Sequence, residues 1–204
     1  MDRRTLLTGA GAAALASTLP GLAAAANSLP LSAPVRAGRV TLRCRDAEAL
    51  AAWYQSAVGL QEITREGATI WLGAGGERLL GLTERSGLDL PGQQEAGLFH
   101  TAILLPSRRD LANWIAMAVE RRIPVDGTAD HRVSEAIYLT DPEGNGVEIY
   151  ADTPQAGWRW VDGEVQMGSY RLDLEGIMAT LGALPPLWTG APAGTSIGHV
   201  HMKV

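Results

Sequence analysis

"GRVTLRCRDAEALAAWYQSAV" (residues 38–58) lies over "FHTAILLPSRRDLANWIAMAV" (residues 99–119) at an offset of 61 residues. Leu42 meets Ile103, Cys44 meets Leu105, Leu50 meets Leu111, Trp53 meets Trp114, and Val58 meets Val119. In each copy an alternating run passes into a helical pattern, with apolar residues at the spacing that paints one face of a helix. Those residues are Leu50, Trp53, Tyr54 and Ala57 in the first copy, and Leu111, Trp114, Ile115 and Ala118 in the second. Asp46 and Ser107 occupy equivalent places and both suit a helix N-cap; Ser107 with Asp110 has the capping-box spacing. A repeat of this length organises the whole fold, because each copy is one supersecondary unit that needs the other to cover its apolar face.

Working outward, each helix is followed by strand-like runs. They are "ATIWLGAG" and "ERLLGLTER", split by Gly75-Gly76, then "VSEAIYLTD" and "GVEIYAD", split by "PEGNG". Asn145-Gly146 is a tight-turn signal. A further short strand is expected near Gln61–Arg65 and near Val125. Each copy therefore reads β-α-β-β-β. The predicted class is α+β: two tandem βαβββ modules, about 35–90 and 97–152, whose sheets curl into a cup with helices outside, plus an orphan terminal strand.

Residues 153–195 break the pattern. They are rich in Gly and Pro and hold one helical candidate, 173–182; they read as a linker that wraps the domain. At 196–204 the repeat restarts. Gly198-His199-Val200 matches Gly38-Arg39-Val40, and His199 takes the place of Arg39 and His100. Alternation puts Ile197, His199, His201 and Lys203 on one side of this strand. The segment reads as the first strand of a third module whose remainder is missing, and its edge could pair with a second copy of the chain.

The 204 residues carry 17 Lys+Arg against 22 Asp+Glu, a net charge of −5. With no basic run beyond the N-terminus, nucleic acid and anionic membrane are poor partners. Cys44 is the single cysteine, so no internal disulfide exists. It lies with Val40 and Leu42 on the helix-facing side of its strand and reads as inert. Residues 1–26, with Arg3-Arg4, an Ala/Gly/Leu-rich stretch and Ala24-Ala25-Ala26, resemble a twin-arginine signal peptide. That implies export to the periplasm or beyond, with no membrane span after the signal is removed.

"GLFHTAILLPSRRDLANWI" and "HRVSEAIYLTDPEGNGVEIYAD", with the linker, resemble the vicinal-oxygen-chelate superfamily of glyoxalases, bleomycin-resistance proteins and extradiol dioxygenases, and within it the catechol 2,3-dioxygenase branch. The resemblance implies a metal in the cup, held by ligands from the first and last strands of a module. In the dioxygenases the metal is Fe(II), held by two His and one carboxylate, with three positions left for a small aromatic diol and oxygen. Carried onto this sequence, His100 and Glu148 fall on ligand positions of the second module, and His199 on the first-strand position of a third. Arg39 and a site near Leu80 stand at the corresponding places of the first module and ligate nothing.

The expectation is therefore a non-catalytic N-terminal domain of an oxidoreductase lineage, with no catalytic residue of its own and a cup one ligand short of a triad. Arg39 is expected to neutralise Glu148 across the vacated site, and Tyr150 to line the cup beside it. His131 reads as a loop residue and His201 as solvent-exposed. Two alternatives stand beside this reading. One is an exported metal-free module that binds a small aromatic or hydrophobic ligand in the cup; the other is a glyoxalase-type metal enzyme.

Overall fold

Why the repeat folds as it does is visible at its helix starts. In the computed structural model, which describes residues 37–89, 92, 95–183 and 188–204, Asp46 accepts a hydrogen bond from the amide of Ala49 at 2.9 Å. Ser107 accepts from the amide of Asp110 at 3.2 Å, and its hydroxyl donates to the Asp110 carboxylate, as the capping pattern predicts. The helices are α1 (Ala47–Trp53), which runs on through a wider π turn at Tyr54–Val58, and α2 (Arg108–Arg121). The signal-like segment 1–26 lies outside the described residues. No helix among the described residues is long and apolar enough to cross a membrane.

Each module then closes a sheet. In the first, β1 (Val40–Cys44), β2 (Gln61–Glu66), β3 (Thr69–Ala74) and β4 (Glu77–Glu84) lie in the order β1-β4-β3-β2, with β1 and β4 parallel. In the second, β5 (Gly97–Leu104), β6 (Gly127–Asp130), β7 (Ser134–Thr140) and β8 (Gly146–Asp152) repeat that arrangement, with β5 and β8 parallel. The α+β class and the tandem βαβββ plan hold as predicted.

One apolar core joins the two modules. Leu50, Tyr54, Leu72 and Leu82 of the first pack in one cluster with Ile103, Leu111, Trp114 and Ile149 of the second. Trp114 is fully buried, and its indole donates to the carbonyl of Ala57 at 3.0 Å, so both tryptophan positions serve the helix-to-sheet core. Cys44 is buried in the same cluster, and burial pushes its thiol up to about 11.

The "DPEGNG" turn is organised by Asp141, whose Oδ1 accepts from the amides of Glu143 and Asn145, both at 2.9 Å. Its other oxygen accepts from the Tyr54 hydroxyl at 3.1 Å. Glu143 accepts from the amides of Arg45 and Asp46 at 2.8 and 3.1 Å. The turn that starts β8 is thereby fastened to the first module.

The linker travels from one edge of the second sheet to the other. It forms a small hairpin, β9 (Trp160–Val161) with β10 (Glu164–Val165), then exchanges two backbone hydrogen bonds between Tyr170 and Asp130 at the end of β6. Helix α3 (Leu174–Ala179) packs on α2, where Arg108 bridges the buried Glu135 and the carbonyl of Gly176. The chain then enters β11 (Ser196–Lys203), which runs antiparallel beside β5. The second sheet is thus five strands, β11-β5-β8-β7-β6. The terminal strand is therefore no orphan in this chain: it takes its partner from the second module.

A candidate metal centre in the second module

The register of the second sheet assembles the site. His199 pairs with Ala102, Ala102 with Glu148, and Glu148 with Tyr138, so one row of residues crosses four strands. Strand alternation sends Val147 and Ile149 into the main core and Glu148 and Tyr150 to the cup side, as the sequence predicted. Ala102 stands between His199 and Glu148 and carries only a methyl group. The two longer side chains meet above it.

The strand β11 departs from simple alternation, and the departure matters. Ile197 pairs with Ile103 while His199 pairs with Ala102, so Gly198 is an extra residue and the strand bulges there. Ile197 consequently enters the main core, and His199 turns to the cup. The expectation that these two share a face is corrected by that bulge. Gly198 suits the position because a Cβ there would lie 1.7 Å from the Tyr150 hydroxyl oxygen.

His100, Glu148 and His199 converge. His100 Nε2 and His199 Nε2 each lie 3.0 Å from Glu148 Oε2, and 3.1 Å from one another. Glu148 is 2% exposed and His199 47%, so the triangle has a buried base and an open face. Burial by itself would push the Glu148 carboxyl up. Hydrogen bonds from the two imidazoles and their charge outweigh it and hold the carboxyl at about 2.

The donor set fits a divalent cation. Two imidazole nitrogens and a carboxylate oxygen form the facial set that non-haem Fe(II) takes. Edges of 3.0–3.1 Å place all three donor atoms within reach of one ion with bonds of about 2.1 Å. Glu148 Oε2 can accept from both imidazole N–H groups, which leaves no proton for the 3.1 Å contact between the two Nε2 atoms.

Two expectations change here. The cup is not one ligand short, because β11 delivers His199 to it. Nor does Arg39 neutralise Glu148, whose Oε2 meets the two histidines; Arg39 is exposed, with its guanidinium over the Trp71 ring at 5.6 Å. Tyr150 is buried on the cup side, 5.6 Å from the His199 ring, and braces β11 rather than opening into the cavity.

A cavity of about 500 Å³ opens over the triangle, lined by Phe99, His131, Tyr138, Met167 and His201 among others. His131 and Tyr138 were not assigned a role by sequence. His131 Nδ1 lies 2.7 Å from the carbonyl of Gly168 and Nε2 2.7 Å from the Tyr138 hydroxyl, which in turn donates to Glu148 Oε1 at 3.3 Å. The signal that could have found Tyr138 is its place opposite Glu148 in the hairpin closed by "DPEGNG". His131 is in a loop, as expected, and only the linker's path past it explains its contact with Gly168.

Residues 36–149, more than half of the chain, match the family model of the Glyoxalase/Bleomycin resistance protein/Dioxygenase superfamily. The chain belongs to this superfamily. Within it, the chain is 38% identical over 170 residues to a catechol-2,3-dioxygenase of Bacillus subtilis (strain 168), which covers 82% of this chain and 59% of that relative. It is 29% identical over 139 residues to biphenyl-2,3-diol 1,2-dioxygenase 3 of Rhodococcus globerulus, over 63% of this chain and 71% of the relative. The chain thus spans somewhat over half the length of the Bacillus relative. A glyoxalase/dioxygenase structure from Nostoc punctiforme superimposes with a TM-score of 0.49 at 18% identity, over 57% of this chain and 90% of that one.

Proposed function

We propose that this superfamily member holds Fe(II) on His100, Glu148 and His199 and acts as an extradiol dioxygenase on a small aromatic diol. The observation that carries the reading is the triangle of two imidazole nitrogens and one carboxylate oxygen with edges of 3.0–3.1 Å. The similarity to catechol-2,3-dioxygenase supports the reaction class. This reading departs from the expectation of a domain without catalytic residues, and the grouping of His100, Glu148 and His199 supports the departure.

Held by His100, Glu148 and His199, Fe(II) would supply Lewis acidity and redox capacity for activating the diol and dioxygen. The protein's part is to place the diol and manage its protons. A carbonyl only accepts, so His131 Nδ1 carries a proton for Gly168, and Nε2 faces the Tyr138 hydroxyl. When His131 Nε2 accepts, the Tyr138 hydroxyl donates a hydrogen bond to it, and the phenol oxygen is left to accept one from the cavity side. When His131 Nε2 donates, Tyr138 turns its own proton to Glu148. Burial, and then the Glu148 charge, raise the Tyr138 phenol above its usual range, so it stays protonated between turnovers. Phe99 and Met167 at the cavity wall limit water around the diol.

The test is anaerobic titration of the purified chain with Fe(II), then addition of catechol and oxygen. The expected result is one equivalent of iron, a rise in melting temperature of roughly 5–10 °C at a hundredfold excess over Kd, and a yellow ring-fission product. Iron uptake with diol binding and no product would favour the binding-module reading. No iron uptake would sink the proposal.

A further inference from the structure

A second irregularity in the β5–β11 pair has no part in holding a metal. His201 pairs with His100 but Met202 pairs with Leu98, so Phe99 is an extra residue on β5. A bulge of this kind sends two successive side chains to the same side of a strand. Phe99 therefore stands beside His100 at the cavity instead of entering the core, and remains 51% exposed. Its ring meets the His201 ring edge-on at a centroid distance of 4.9 Å, and His201 meets the His100 ring at 4.9 Å and 88°. Met167, also exposed, lines the same cavity from the linker.

An outward phenylalanine forgoes the burial that stabilises its neighbours, so the bulge needs another use. A cavity of about 150 Å³ already accommodates a benzene ring, whereas this one has about 500 Å³. The aromatic wall is built on the same strands as two of the three ligands, so a ring held at the triangle by its oxygens projects its far side along Phe99 and His201.

We propose that Phe99 and His201 form a specificity wall that selects aromatic diols bearing a bulky apolar substituent over the unsubstituted diol, the substituent lying against these two rings. This rests on the proposed diol-binding metal site. Aromatic contacts of the kind Phe99 and His201 offer favour ring or branched alkyl substituents.

The experiment measures anaerobic binding of catechol, tert-butylcatechol and phenylcatechol to the full chain loaded with Fe(II), by calorimetry. It compares the wild type with Phe99→Ala, the milder Phe99→Leu, His201→Gln, and Val119→Ala as a remote surface control. The expected result is affinity at least tenfold higher for phenylcatechol than for catechol. That ratio should fall several-fold in Phe99→Ala and His201→Gln, less in Phe99→Leu, and not in Val119→Ala. Equal affinities in the wild type, or an unchanged ratio in both Phe99 variants and His201→Gln, would overturn the wall while leaving the metal site standing. Failure of every diol to bind would overturn the diol reading itself and the wall with it.

Discussion

The two modules share one plan and diverge at three matched positions on their cup sides. Where the second has His100, the first has Arg39; where the second has Glu148, the register puts Gly81; where the second has Tyr138, it puts Trp71. The carboxylate's counterpart is thus Gly81, one residue along from Leu80, which is buried in the core. On the first sheet Trp71 spreads over Gly81, where a Cβ would lie 2.9 Å from the indole ring, and Arg39 and Arg78 each lie over that ring at 5.6 and 5.8 Å. One module fills its cup face with a cation–aromatic stack; the other leaves it open and lines it with two histidines and a carboxylate. A fold built by repetition can specialise one copy because the helix-side core, where both copies carry the same apolar pattern, is separate from the cup side.

Removing the feature that most distinguishes the modules should have the largest effect. Glu148→Ala leaves two imidazoles with no carboxylate between them, and Fe(II) affinity should drop by more than a hundredfold, since altering even the outer partners of metal ligands costs 10–100-fold. Calorimetric titration checks this, and affinity within tenfold of wild type would remove Glu148 from the site.

The next comparison tests whether the extra strand makes the second module different. Gly198→Ala puts a methyl group into the Tyr150 hydroxyl and should displace β11. We expect about tenfold weaker metal binding and a loss of about 1–3 kcal/mol in stability, read by titration and by chemical denaturation. Unchanged metal binding would mean that His199 is dispensable.

A graft in the opposite direction sharpens the contrast. Arg39→His with Gly81→Glu copies two candidate ligands into the first module, but Trp71 occupies the space and, among the described residues, no strand corresponding to β11 flanks β1. The double variant should bind no second metal ion and should be destabilised by about 1–3 kcal/mol through overpacking. A second equivalent of bound metal would show that the ligands alone suffice.

The smallest effect belongs to positions where the modules agree. Cys44 and Leu105 are equivalent, and both are buried. With its thiol pushed up to about 11 and no exposure, Cys44 should resist iodoacetamide at pH 8 in the native chain and react fully in denaturant, as mass spectrometry would show. Rapid native labelling would mean that this shared core layer opens.

Much of this was legible in the residues. The repeat predicts both helices, their caps and the strands that follow, because those depend on local periodicity and on short side-chain-to-backbone bonds. Alternation around Glu148 places it on the cup side correctly. Three things were not legible. Pairing Arg39 with Glu148 follows sensibly from charge, but Trp71, near in space and distant in sequence, is the ring beneath Arg39. The faces of Ile197 and His199 follow from strict alternation, and a one-residue bulge reverses one of them. Phe99 lies at a position that periodicity assigns to the core, and the second bulge turns it out.

Short stretches of chain specify the modules, their order and which residues could ligate a metal, since helical and strand periods and residue chemistry are local properties. The meeting of His199 with His100 and Glu148 arises from long-range packing. That meeting depends on the route of a linker of more than forty residues and on register between β11 and β5, set by two bulges. Both are outcomes of global packing, to which no local pattern is sensitive.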